Sequence, residues 1–304
     1  MSEHVAIVCH DAGGAEILSS WLKRYRYSSS VVVSGPAEKI FKNKCPNANF
    51  LKLDDALIKC NWILAGTGWQ TNFEIKAISK AQELGIKSVA YLDHWVNYRE
   101  RFKKNGYFIF PNEIWVGDIE AERIAKNQFD EIPIVLKPNP YFEDVLKEIS
   151  FFEGLKNNNE IKNRVLYVCE PVADHAFKQH GNILHWGYTE KDALRFFLKN
   201  ITALCERVDQ ITIRTHPSEH KDKYKWLNSE THLPIQISSE KTLVQEINNS
   251  DIIVGCESMA MVVGLLAKKR VISTIPPGGR SCQLPHSNIE KMQQLVKSVG
   301  YIHD

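Results

Sequence analysis

The segment Thr215-His216-Pro217-Ser218-Glu219 sets an imidazole beside a residue that fixes the backbone. Pro217 locks its own φ and disfavours helix at His216, so the ring stands in extended chain, where it can offer an N–H to an anion. Arg214 and Ser218 supply further donors. About 40 residues on, the apolar run Asp251-Ile252-Ile253-Val254-Gly255 ends in Cys256-Glu257-Ser258-Met259-Ala260 and enters an apolar helix. The unpaired N–H groups and positive dipole end at Ser258 and Met259 make an anion site, and the Ser258 hydroxyl can cap the helix or donate to phosphate. Glu257 can accept both hydroxyls of a ribose. Each segment also has a structural reading: a histidine packed at a strand end, and an ordinary capping turn.

Other ionisable clusters follow apolar runs in the same way. Glu170-Pro171 follows Arg164–Cys169 and is a candidate contact to a base or ribose. Pro276-Pro277-Gly278-Gly279-Arg280 must be a loop, and Arg280 can fork onto a phosphate or carboxylate or remain solvated. Near the N-terminus, Cys9-His10-Asp11-Ala12-Gly13-Gly14 joins two ionisable groups to two glycines, without the G-x-G-x-x-G fingerprint. Asp11 can act as a base or cap the next helix. Tyr91-Leu92-Asp93-His94-Trp95-Val96-Asn97-Tyr98-Arg99 is crowded with polar and aromatic side chains that a core would not choose, and Gly66-Thr67-Gly68-Trp69 is a comparable loop.

These loops need a scaffold, and the sequence alternates short β-branched runs with helical stretches, the pattern of βαβ units on parallel sheets. Strands are predicted at 5–9, 30–34, 62–65, 88–92, 114–116 and 134–136, with helices at 15–25 and 72–84. A second series has strands at 164–169, 210–214, 251–255 and 270–274, with helices at 189–207, 243–249, 258–267 and 289–299. Lys137-Pro138-Asn139-Pro140 and the polar stretch Lys156–Glu160 separate the two. We therefore expect two Rossmann-like domains, 1–140 and 164–304, joined by a linker over 141–163. Open parallel sheets bind ligands at the carboxyl ends of their strands, where all the clusters above fall, and the two sheets are expected to face a cleft.

The pairing of His216-Pro217 with Ser250-Asp251-Ile252-Ile253-Val254-Gly255-Cys256-Glu257-Ser258 resembles the C-terminal domain of GT-B glycosyltransferases, particularly bacterial sialyltransferase-like enzymes of polysaccharide assembly. The resemblance covers roughly residues 164–285 and rests on short motifs. It implies that His216 and Ser258 hold the phosphate of a nucleotide sugar, CMP-linked by preference, with Pro217, Ser218, Met259, Glu257, Glu170 and Arg280 around the nucleotide. In the N-terminal domain it implies a general base, Asp11 first and His10, Asp93 or His94 as alternatives, next to acceptor-binding residues Gly13, Gly14, Thr67, His94, Trp95, Tyr98 and Arg99. Trp95 and Tyr98 would stack on sugar rings. The expected activity is inverting transfer of a sugar, of nonulosonic or Kdo type, to a surface polysaccharide or glycoconjugate such as capsule or lipopolysaccharide. UDP-N-acetylglucosamine 2-epimerases share the fold and a His-Pro loop, but their Ser-Gly-Gly turn is replaced here by Val254-Gly255-Cys256. A CDP- or CMP-dependent phosphotransferase is a further alternative, as is a non-catalytic nucleotide-sugar-binding subunit.

Composition limits the partners. With 304 residues, 43% apolar and 24% charged, the chain can build two ordinary globular cores. A net charge of +2 with acidic and basic residues intermixed leaves no nucleic-acid footprint. Seven cysteines without a C-x-x-C pair argue against a zinc site or disulfide framework, so neither metal nor cofactor is expected and a cytoplasmic setting fits. No apolar run approaches a membrane span and no signal peptide is apparent. Membrane contact would be peripheral, through the basic run Arg99–Lys104 meeting an anionic surface or lipid-linked acceptor.

Overall fold

The computed structural model describes residues 3–68, 71–154, 163–238 and 241–300. The chain divides into two units, Met1–Asp144 and Val145–Asp304. The first contains β1 (His4–Cys9), α1 (Ala12–Arg24), β2 (Ser28–Val33), α2 (Pro36–Lys44), α3 (Leu53–Lys59), β3 (Trp62–Ala65), α4 (Phe73–Glu83) and β4 (Lys87–Leu92). A two-stranded ribbon of β5 (Lys103–Lys104) and β6 (Tyr107–Phe108) follows, then β7 (Glu113–Val116), α5 (Ile119–Gln128) and β8 (Ile134–Leu136). Its six-stranded sheet has the order β2-β1-β3-β4-β7-β8 and is parallel throughout. Val5 to Cys9 are at most 1% exposed, as strands covered on both faces must be.

The division falls inside α6 (Pro140–Glu153). The sequence predicts a linker over 141–163, and its first part is helical instead. The helix forms because Asn139 Oδ1 accepts the Tyr141 and Phe142 N–H groups at 3.0 and 3.3 Å, and Pro140 has no N–H to leave unpaired. The polar stretch 156–160 lies outside the described residues.

The second unit contains β9 (Arg164–Val168), α7 (Val172–His180), α8 (Glu190–Lys199), β10 (Gln210–Arg214), α9 (Leu227–Glu230), β11 (Ile235–Ile237) and α10 (Leu243–Asn248). After these come β12 (Ile252–Gly255), α11 (Met259–Leu266), β13 (Arg270–Ser273), β14 (Ile289–Lys291) and α12 (Met292–Gly300). The parallel sheet runs β11-β10-β9-β12-β13-β14, which in strand count is 3-2-1-4-5-6, the Rossmann order. Its core centres on Tyr167, Phe197, Ile211, Ile213 and Val254.

Three expected elements are corrected. The first helix starts at Ala12 rather than 15. The helix expected over 189–207 ends at Lys199, where the Asn200 side-chain amide donates to the Phe196 carbonyl at 2.8 Å and a tighter turn follows. The residues 289–291, expected in the closing helix, pair with β13 as an edge strand, Ile289 opposite Val271. Among the described residues no helix is long and apolar enough to cross a membrane.

A glycine lets the second sheet close tightly at the end of β12. A Cβ on Gly255 would lie 2.8 Å from Val168 Cγ2 and 3.0 Å from the Val168 carbonyl oxygen, so β9 and α11 close on the end of β12 only without a side chain. Gly255→Ala is predicted to lower stability by about 1–3 kcal/mol, the usual range for overpacking. Equilibrium denaturation checks this, and an unchanged midpoint would contradict the packing.

Candidate functional site

In the second unit the strand order reverses between β9 and β12, and ligands of open α/β sheets bind outside the carboxyl ends at such a point. Register sets the loops level: Arg214 pairs with Val168 and Val254 with Tyr167. The His216 loop and the Ser258 turn therefore leave one sheet edge on either side of β9. Their strands lie about 10 Å apart, two spacings of the ladder.

Each loop is held by buried polar contacts. The Glu219 carboxylate, 2% exposed, accepts the His216 backbone N–H at 3.1 Å and the Tyr224 hydroxyl at 3.0 Å, and pairs with Lys223 at 2.8 Å. His216 Nδ1 accepts the Ser218 N–H at 3.2 Å and lies 2.7 Å from Ser218 Oγ. That network puts the imidazole proton on Nε2, and burial pushes the ring below its ordinary pKa, so His216 is a neutral Nε2–H donor near pH 7. His175, on α7, stands perpendicular to it with ring centres 6.2 Å apart. Burial and then the His216 charge push His175 down to about 4.

Across β9, Ser258 caps α11, its Oγ accepting the Ala260 N–H at 3.2 Å. Met259 opens that helix. Glu170, at the end of β9, turns into the same bend: its Oε1 accepts the Cys256 and Glu257 N–H groups at 3.2 and 2.7 Å. Glu257 is engaged by Arg280 and by the Gln283 N–H at 3.1 Å. Arg280 stacks on Trp186 at 4.0 Å and donates its backbone N–H to the Trp186 carbonyl at 3.0 Å, which docks the Pro276–Arg280 loop. Glu170 and Arg280, expected at the nucleotide, thus bond the turn that was expected to receive it. Pro217 and Ser218 are exposed.

In the first unit the strand order reverses between β1 and β3, and the loops at that point carry a carboxylate cluster. Asp11 sits at the N-cap of α1 but makes no side-chain capping bond. It accepts from His10 Nδ1 at 2.7 Å instead. Burial raises its pKa, opposed by the His10 bond and reinforced by Asp93. Asp93 Oδ1 pairs with Arg101 at 2.6 Å, and Arg101 also donates to the Thr67 carbonyl at 2.7 Å. Glu74 Oε1 accepts the His10 N–H at 2.7 Å. Glycines make the room: a Cβ on Gly13 would strike Asp93 Oδ2, one on Gly68 would lie 2.6 Å from the Asp11 carboxyl carbon, and one on Gly14 3.1 Å from Cys9 Sγ.

His10, Asp11, Gly13, Gly14, Thr67 and Asp93 are thereby brought together. The remaining residues expected at the acceptor lie differently. Trp95 and Tyr98 are 5% and 0% exposed, so their rings belong to the interior and present no open face for a sugar. His94 Nδ1 accepts the Trp95 N–H at 3.0 Å. Arg99 bonds the Gln128 carbonyl and Glu131 and lies over the rings of Phe108, Phe110 and Phe129. With Arg101 turned inward too, the run Arg99–Lys104 is not a continuous basic face. Trp69 lies outside the described residues. Among the described residues no group of His, Cys, Asp or Glu is arranged to hold a metal ion.

Glu74, Arg101 and His175 were not anticipated as site residues. Glu74 was detectable, because it shares the helical stripe of Ile78 and Ala81, and a carboxylate on a buried stripe needs a reason to be there.

No family model matches the chain, and no curated protein matches its sequence. Its structure is similar to that of the UDP-GlcNAc 2-epimerase from Methanocaldococcus jannaschii, at 13% identity and a TM-score of 0.61, covering 98% of this chain and 92% of that one. The Neisseria meningitidis UDP-GlcNAc 2-epimerase bound to UDP-GlcNAc gives 10% and 0.62 over 99% and 91%. The glycotransferase of kitacinnamycin gives 11% and 0.53 over 99% and 85%. The fold is GT-B. At such identities the likeness is one of fold, and these neighbours include both epimerases and a transferase.

Burial pushes Glu74 up to about 7. A carboxyl raised on folding contributes stability that is fully present below its ordinary pKa and lost as pH rises through the folded value. Glu74→Gln keeps the acceptor for the His10 amide and cannot ionise. The variant is predicted to gain on the wild type by about 1–3 kcal/mol as pH rises from about 5 to 8. Denaturant unfolding at intermediate pH values measures the difference, and a constant gap would contradict it.

Proposed function

We propose that the chain is a metal-independent glycosyltransferase that moves a sugar from a nucleotide donor, cytidine-linked in our reading, to a glycan or lipid-linked acceptor with inversion. The observation that carries this is the placement of a neutral histidine N–H donor and a serine-capped helix start on either side of the strand-order reversal in a Rossmann-ordered sheet. In this reading the C-terminal unit binds the nucleotide, with His216 Nε2–H and the Ser258 hydroxyl donating to the phosphate that becomes the leaving group. As the acceptor oxygen bonds to the anomeric carbon, the bond to the phosphate oxygen breaks and its electron pair stays on the nucleotide. Donors already aimed at that charge lower the barrier. The acceptor's proton passes to Asp11 in the N-terminal unit, whose raised pKa makes it a better base than an open aspartate. His10 and Asp93 orient and modulate it.

A second reading is favoured by the neighbours: two of the structures of similar fold are UDP-GlcNAc 2-epimerases. An epimerase converts UDP-GlcNAc with no acceptor, so incubation with that compound alone separates the two readings. Appearance of an isomer would replace ours.

Thermal-shift screening with CMP, CDP, UDP and GDP tests the donor class. A nucleotide at a hundred times its Kd stabilises by about 2.7 kcal/mol, and the cytidine nucleotides are predicted to raise the midpoint most. His216→Ala is predicted to cut transfer by roughly 10²–10³-fold while leaving the ligand-free midpoint in place. No shift with any nucleotide, or wild-type turnover in the variant, would overturn the assignment.

A further inference from the structure

The bend that opens α11 already has an acceptor on its amides. Glu170 Oε1 receives two backbone N–H groups there, and among the described residues no lysine, arginine or histidine forms an ion pair with Glu170. The neighbouring carboxylate differs: Glu257 has Arg280 on one oxygen and the Gln283 N–H on the other, so its charge is balanced. Two ionised carboxylates at one bend, only one of them with a cation, would repel a phosphate brought to the same helix start.

We infer that Glu170 serves this site as a neutral carboxylic acid, its Oε1 gripping the Cys256 and Glu257 amides and its other oxygen carrying a proton that it donates to a phosphate oxygen of the bound nucleotide. This rests on the nucleotide reading above and names a further binding group for it. One carboxyl then does two things that an empty set of amides cannot: it fixes the turn before ligand arrives, and it turns an acceptor position into a donor. Burial, reinforced by the Glu257 charge, holds its proton up to about 8, so the neutral form predominates near pH 7.

The other groups facing Glu170 do not titrate in that range. Burial pushes the thiols of Cys169, Cys256 and Cys282 and the phenols of Tyr167 and Tyr188 upward. Elsewhere in the unit, burial pushes His175 and His216 down, so neither changes charge between pH 7 and 9.

Calorimetric titration with CMP and with UDP from pH 7 to 9 tests the inference, since the second phosphate ionisation, centred at about pH 6, is largely complete before that range begins. Wild-type affinity is expected to fall about tenfold over that range, as follows from a binding-competent acid that loses its proton near pH 8. Glu170→Ala is expected to weaken binding at pH 7. Glu170→Gln, which keeps one acceptor and one N–H donor, is expected to restore binding relative to alanine and to remove the pH dependence. If the wild type binds with a flat profile, or the glutamine variant binds no better than alanine, the neutral-acid role is wrong and the nucleotide reading stands. If neither nucleotide binds the wild type at any pH, both fall together.

Discussion

The second unit is organised by a carboxyl group that reaches from the end of one strand to the backbone of the next. Glu170 leaves β9 and takes the amides of Cys256 and Glu257 where β12 turns into α11. That contact requires β9 and β12 to be neighbours, as the crossed strand order makes them. It also requires β12 to end close against Val168, which only glycine at 255 permits. Arg280, its loop docked on Trp186, then neutralises Glu257, and among the described residues no cation pairs with Glu170. The helix start is therefore a shaped polar bend rather than an open row of N–H groups, and the His216 loop leaves the same end of the sheet after β10.

The first unit meets a related problem differently. Asp11, Glu74 and Asp93 crowd the strand-order reversal with Arg101 and His10 as their cationic and hydrogen-bonding partners. Glycines 13 and 68 supply the space that the carboxylates fill. Desolvation raises Asp11 and Glu74, so this cluster holds protons more tightly than open carboxylates do. Both units thus place carboxyl groups of raised pKa at the carboxyl ends of their central strands, where the sheet itself directs ligands.

Much of this architecture was legible because buried parallel strands are written as short apolar runs. Trp62–Ala65, Gln210–Arg214 and Ile134–Leu136 matched to the residue. Elements read less well where tertiary contact decides: α7 carries only Val172 and Ala176 as buried residues, and Ile289–Lys291 becomes a strand only because β13 offers an edge. Asn139-Pro140 reads as a break when it is in fact a cap followed by a first helical turn. At the site, polarity in a loop after a strand located the right segments but not the direction of their side chains. Tyr98, Trp95 and Arg99 looked ligand-facing by type, yet the first two are buried and the third is spent on a turn and three rings. Glu170 and Arg280 read as nucleotide contacts by type and place, but the bonds they make to the bend itself were not legible in the sequence.

Whether the His216 and Ser258 loops grip one phosphate across β9 is decided by where a bound phosphate sits. A crystal structure of the protein with CMP bound locates that group directly. Phosphate oxygens are predicted within about 3 Å of both His216 Nε2 and the Ser258 hydroxyl, ordinary hydrogen-bond distances. A nucleotide phosphate held elsewhere, with His216 and Ser258 touching only protein, would contradict it.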